Sequence, residues 1–246
     1  MSTGKLDTLM EAASRDLVEM RYLDAERRCL DALHAARDGE RWSYVARILL
    51  PLQEARRQRR MIAADTCVQL GTPEADDLQA WLDAGETRGG PAGCVVVTPP
   101  CSWDDAAAAL GQLRRDEVYA EVLFADAEAD PDASFDRGED WAVFSAVDAA
   151  LAVDVPTPVG VWVGRPLKPT DADWAHASAA HDAPTPADWF IDATERLGDL
   201  AIESVAHPPG GRARFDALWD LLDAAPDHEK LHQALADAAR ALVTKA

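Results

Sequence analysis

Residues 94–100 read CVVVTPP, and three consecutive valines leave few choices for the chain around them. An unbroken β-branched run closed by prolines is the pattern of a strand covered on both faces, because no position in it is reserved for solvent. Such a strand needs helices, and the neighbouring sequence offers them. TPEADDLQAWLDAG at 72–85 reads as a helix, with Thr72 as N-cap, Pro73 at the first helical position and Gly85 after the stop. SWDDAAAALGQLRR reads as a second helix capped by Ser102, and EVYAEVLFAD at 117–126 as the next strand. A third helix is expected within 134–154, with Trp141, Phe144, Val147 and Leu151 on one face, followed by a strand in PVGVWVG at 158–164. Counting the short β-compatible segment at 66–71, the order is β-α-β-α-β-α-β. That alternation predicts an α/β fold: a mostly parallel sheet of about four strands with helices on both faces.

Both ends of the chain carry a helical period instead. Leu6, Leu9, Met10, Ala13, Leu17 and Met20 form one set, Tyr22, Ala25, Cys29, Ala32, Leu33 and Ala36 a second, and Trp42, Val45, Ile48, Leu49, Leu52 and Ala55 a third. Gly39 is the expected stop between the second and third, and Pro51 is expected to kink the third or start a new helix. Three more helices are expected from about Pro186 onward, flanking the sheet at the other end. The expected domains are a helical segment over 1–65 and an acidic α/β domain with C-terminal helices over 66–246.

The stretch RYLDAERRCLDAL, residues 21–33, resembles the second helix of a tetratricopeptide repeat. Tyr22 falls at its aromatic position and Ala25 and Ala32 at its small packing positions, with Leu33 following and Trp42 near the start of the next repeat. The resemblance lies within residues 5–60. It implies a concave helical surface for a peptide or partner helix. Fewer than two repeats are visible, and such arrays need about three to stand alone, so these helices are expected to dock on the rest of the chain.

Charge sorts the possible partners. The chain has a formal net charge of −20, yet residues 1–64 carry twelve Lys/Arg against ten Asp/Glu. So acidic a body argues against nucleic acid, whose binding runs on phosphate neutralisation. No apolar run approaches the roughly 18 residues of a membrane span, and the acid-containing N-terminus does not read as a secretory signal. A cytoplasmic location is expected, with the four cysteines reduced; none forms a C-x-x-C pair.

Few residues suggest chemistry. Arg56, Arg57, Arg59 and Arg60 fall within five positions, either docked on acidic surface of the same chain or forming a partner-binding face. Thr98, Cys101, Asp126, Arg165 and Lys168 would gather at the carboxyl edge of the sheet, where open α/β folds bind ligands. Cys101 would lie near a helix N-terminus, which can lower a thiol pKa. The acidic loop 126–140 fails the EF-hand template, with Pro131 at the sixth position and Arg137 at the twelfth. His176 and His181 have the wrong spacing for a zinc helix. HPPGGRARF at 207–215 could bind an anion or simply connect two helices. There is no Gly-rich phosphate loop, no nucleophile elbow and no motif implying a metal or cofactor. The sequence therefore points to a non-catalytic protein working through a protein partner. The alternative is a small-molecule-binding or enzymatic α/β domain using the edge around Cys101.

Overall fold

The computed structural model describes residues 3–66, 68–70, 78–80, 82, 93–126, 141–145, 162–164, 186–205, 210–222 and 225–243. Its elements in chain order are α1 (Thr3–Val18), α2 (Tyr22–Asp38), α3 (Trp42–Thr66), β1 (Val68–Leu70), β2 (Gly93–Val97), α4 (Trp103–Arg115), β3 (Ala120–Asp126), β4 (Trp141–Ser145), β5 (Trp162–Gly164), α5 (Pro186–Ser204), α6 (Arg212–Asp220) and α7 (Glu229–Val243). Contacts divide the chain into two units, residues 1–59 with 201–246, and residues 60–200.

The first unit is helical. α1 and α2 are joined by a three-residue turn, and so are α2 and α3. The two turns are the same device. At the first, Glu19 N–H donates to the Arg15 carbonyl, Met20 to Leu17 and Arg21 to Asp16; at the second, Gly39 donates to Ala35, Glu40 to Arg37 and Arg41 to Ala36. Met20 (φ 57°) and Glu40 (φ 51°) hold the left-handed position, so the residue that turns the chain after α2 is Glu40 rather than Gly39. These left-handed residues are twenty positions apart, giving a two-helix period of about forty, against 34 for a tetratricopeptide repeat.

Asp16 is buried at the first turn and takes both Arg21 and Arg28. Pro51 neither ends nor restarts α3, which is one helix of 25 residues. Proline removes one backbone donor, and the buried stripe Val45, Ile48, Leu49, Leu52 and Ala55 carries the helix through it.

Aromatic rings fasten α6 inside this unit. Phe215 is fully buried, with its ring 4.9 Å from that of Trp42 and 5.8 Å from that of Trp219. Arg37 lies 4.3 Å over Trp219 and Arg212 4.8 Å over Trp42. Both arginines also pair with Asp216.

The second unit carries the sheet, in the order β1-β2-β3-β4-β5. β1 pairs with β2 and β2 with β3 in parallel; β3 with β4 and β4 with β5 are antiparallel. α4 is the crossover between β2 and β3. Ser102 caps it as the sequence indicates, accepting from Asp105 N–H (3.2 Å) while Asp105 Oδ2 accepts from Ser102 N–H (2.7 Å). Val95, Val97, Leu110, Leu113, Val122 and Phe124 make the core beneath it, with Leu78 and Leu82.

This corrects the expected fold class. The described residues are mostly helical, strand is a small share of them, and the mostly parallel sheet with helices on both faces is not what forms. The parallel packing described down to its side chains is the pair β2–β3. Residues 141–145, expected in a helix, are a strand, and the strand at 162–164 lies antiparallel beside it instead of parallel beside β3. A five-residue apolar run such as WAVFS fits a helix face or a strand equally well, and periodicity alone does not decide between them. Of the helix expected at 72–85, residues 78–80 and 82 are helical and the rest lies outside the described residues.

Phe215→Ala should cost about 3–5 kcal/mol, the range for emptying a buried aromatic site. Urea unfolding followed by helical circular dichroism measures it, with Arg196→Ala, at an exposed helix position, as the near-neutral control.

Candidate functional site

α3 carries two stripes. One, Leu49, Leu52, Arg56 and Arg59, faces inward and is buried. Arg56 Nε donates to Glu26 Oε1 (2.9 Å), and its Nη1 donates to the carbonyls of Leu222 (3.1 Å) and Pro226 (3.2 Å). Arg59 is 0 % exposed. Its Nε lies 3.0 Å from Glu26 Oε2, and its Nη2 donates to Asp227 Oδ1 at 2.7 Å. Two guanidiniums thus meet two carboxylates, one from α2 and one from the segment before α7. Burial pushes the Glu26 carboxyl up, but Arg59 and Arg56 outweigh it and hold the group below its ordinary value.

The other two arginines point elsewhere. Arg60, in the second unit, donates to Glu195 Oε1 (2.7 Å) and Thr194 Oγ1 (3.1 Å) on α5. Arg57 is about half exposed, 3.6 Å from Glu54. The four arginines of the cluster are therefore not one face. The carboxylates that hold Arg56 and Arg59 belong to the helical unit rather than to the acidic sheet region.

Two histidines flank this network. His228 is the N-cap of α7, its Nδ1 accepting from Leu231 N–H (3.2 Å). His232 lies one turn on, with Nδ1 2.9 Å from the His228 carbonyl. A carbonyl oxygen only accepts, so Nδ1 carries the proton and Nε2 presents a lone pair. Among the described residues, Nε2 is buried and has no hydrogen-bond partner. Burial, then the Arg56 charge, lowers the His232 pKa to about 4. Burial, then Glu26, pushes the neighbouring Cys29 thiol up to about 12, so it stays protonated and inert.

The second stripe of α3 is Ser43, Ala46, Arg47, Leu50, Pro51 and Glu54. It forms one wall of a groove of about 860 Å³; Met10, Ser14 and Leu17 of α1 and Arg240 and Val243 of α7 form the others. Leu50 is 70 % exposed and Val243 47 %, so the groove presents aliphatic side chains to solvent. Sequence reasoning placed Leu17, Leu49 and Leu52 in the core period and passed over Leu50. The available signal was that Ala46, Leu50 and Pro51 form an apolar line off the core face, at i, i+4 and i+5.

The strand-end candidates fare differently. Thr98 and Cys101 are buried after β2, and Cys101 N–H donates to the Thr98 carbonyl (3.1 Å). Cys101 packs in the apolar cluster under α4, where a nucleophile would have no solvent access. Asp126 ends β3 opposite Ala142. Gly164, the end of β5, reaches the same edge, but β5 stands three strand spacings from β2, roughly 14 Å. Arg165 and Lys168, His176 and His181, and nearly all of the acidic loop lie outside the described residues. In the 207–215 loop, Arg212 is taken by Asp216 (2.9 Å) and Glu40 (3.1 Å).

Among the described residues no cluster of three or more His, Cys, Asp or Glu could hold a metal ion, and no helix is long and apolar enough to cross a membrane. No protein-family model, no curated protein and no solved structure matches the chain.

His232 gives stability a pH signature. Its pKa is about 4 when folded and about 6.5 when unfolded. Between those values the unfolded chain binds a proton that the folded chain refuses, so stability falls as pH falls. Unfolding in urea should show a loss of about 1.5 kcal/mol from pH 6.5 to 5, above the range where carboxylates titrate. His232→Phe should flatten that slope.

Proposed function

We propose that this chain is a non-catalytic, cytoplasmic protein–protein interaction protein, and that its helical unit takes an amphipathic helix of a partner in the groove between α1, α3 and α7. The observation that carries this is the pair of exposed aliphatic side chains, Leu50 and Val243, that line the groove. A helix lays its i, i+3, i+4 and i+7 side chains into such a groove. The charged rim selects among helices. Arg47 and Arg240 stand against Glu54, so a helix with acidic residues beside its apolar stripe is favoured. The ion pair that Arg240 makes with Asp237 is exposed and weak enough to exchange. The tetratricopeptide resemblance of residues 5–60 agrees with this use of the surface.

The test is site-specific photocrosslinking in cells. A benzoylphenylalanine at Leu50 should capture a protein that the same probe at Ala108, exposed on α4, does not. The captured peptide should be an amphipathic segment with acidic flanks. Leu50→Asp should weaken binding of that isolated segment at least tenfold while leaving the unfolding midpoint unchanged. Capture only of a second copy of this chain, or equal capture at both positions, contradicts the proposal.

A further inference from the structure

The groove is not electrically symmetric along its length. α1 and α3 run the same way: Arg41 Nη1 donates to Thr3 Oγ1 (2.9 Å) and Tyr44 OH donates to Asp7 Oδ1 (3.0 Å), so their first turns stand together. α7 runs the other way. Asp227, just before α7, holds Arg59 near the far end of α3, whereas Arg240, in the last turn of α7, shares a cavity with Ala46 near the start of α3. One end of the groove therefore carries Arg47 and Arg240 beside Ser43 and Val243, and Glu54 and Leu17 lie toward the other. Arg47 is exposed, with its guanidinium 5.2 Å from the Tyr44 ring. Glu54 is engaged by Gln58 (2.8 Å) and Arg57 (3.6 Å) on its own helix. From Ser43 to Glu54 the wall is about 16 Å long, room for about three helical turns.

We propose that the partner helix lies antiparallel to α3, with its last turn between Arg47 and Arg240, and that this last turn carries its acidic residues. The inference rests on the groove reading above. The last four carbonyls of a helix have no partner within it, and that end carries partial negative charge. Two guanidiniums placed there donate to those carbonyls and pair with carboxylates of the same turn. A helix laid the other way round would set its positive end against the arginines and its carbonyls against the Glu54 carboxylate, which only accepts. The N-terminal ends of α1 and α3 lie at the arginine end and the C-terminal end of α7 opposes one of them, so the helix ends favour the same direction. The partner this selects is distinctive, because acidic residues in a last turn disfavour a helix on its own.

The test maps photocrosslinks from the two ends of the groove. Benzoylphenylalanine is placed at Ser43 in one variant and at Leu17 in another, which leaves both arginines and Glu54 in place. Mass spectrometry then locates the crosslinks within the partner segment captured at Leu50. Those from Ser43 should fall about seven to eleven residues C-terminal to those from Leu17. In a synthetic peptide of that segment, changing the acidic residues of the last turn to glutamine should weaken binding about fivefold, and the same change in the first turn less than about twofold. Arg47→Gln together with Arg240→Gln should remove that difference. Crosslinks in the opposite order, or equal losses from the two ends of the peptide, overturn the direction and leave the groove reading standing. If no segment is captured at Leu50, the groove reading falls and the direction with it.

Discussion

Glu26 sits between two arginines that approach it from one helix, and the helical unit depends on that meeting. Removing a carboxylate or a guanidinium from water costs several kcal/mol per ion, and mutual attraction offsets this only where each charge is fully paired. Here Arg56 and Arg59 bring two positive charges, and Glu26 and Asp227 bring two negative ones. Arg56 Nη1 donates to the Leu222 and Pro226 carbonyls as well. The set closes only when α2, α3 and the segment leading into α7 are all in place. Like the contact between Phe215 and Trp42, it ties the C-terminal helices to the N-terminal ones.

The same network shapes the candidate site. By fixing the inward stripe of α3, it sets the stripe of Ala46, Leu50 and Pro51 about a third of a turn away, facing α1 and α7 across the groove. Arg56 is among the charges that keep His232 neutral, which preserves the Nε2 lone pair at physiological pH. The helical unit carries sixteen Lys/Arg against seventeen Asp/Glu, so nearly all of the net −20 belongs to residues 60–200. A nearly neutral body with a balanced internal network can offer an apolar groove without the repulsion that the acidic region would impose on an acidic partner.

Much of this was legible locally. The helices at both ends follow from their apolar period. The pair β2–β3 with its crossover follows from CVVVTPP, the Ser102–Asp105 cap and the run after Glu117. What was not legible depends on distance along the chain. Arg59 finds Asp227 168 positions away, and no spacing rule announces such a partner. The charge map set the arginines against carboxylates of 66–246, and Asp227 and Glu195 there do hold Arg59 and Arg60, but it averages over carboxylates and so could not pick out Glu26, which holds Arg56 and Arg59 from within the N-terminal helices. Residues 141–145 were misread because a short apolar run has no period long enough to choose between strand and helix. Leu50 was passed over because a helix with two apolar stripes looks like one broad one.

The central claim is that the buried ions act as one set, and a double-mutant cycle between Arg59 and Asp227 measures it most directly. Arg59→Met and Asp227→Leu should each cost about 3–5 kcal/mol, because each strands a buried charge. Together they should cost at least about 2 kcal/mol less than the two effects added, because the second change removes the charge that the first left unpaired. Single costs under about 1 kcal/mol, or effects that add to within about 0.5 kcal/mol, would mean that the arginines and carboxylates do not hold the helical unit together.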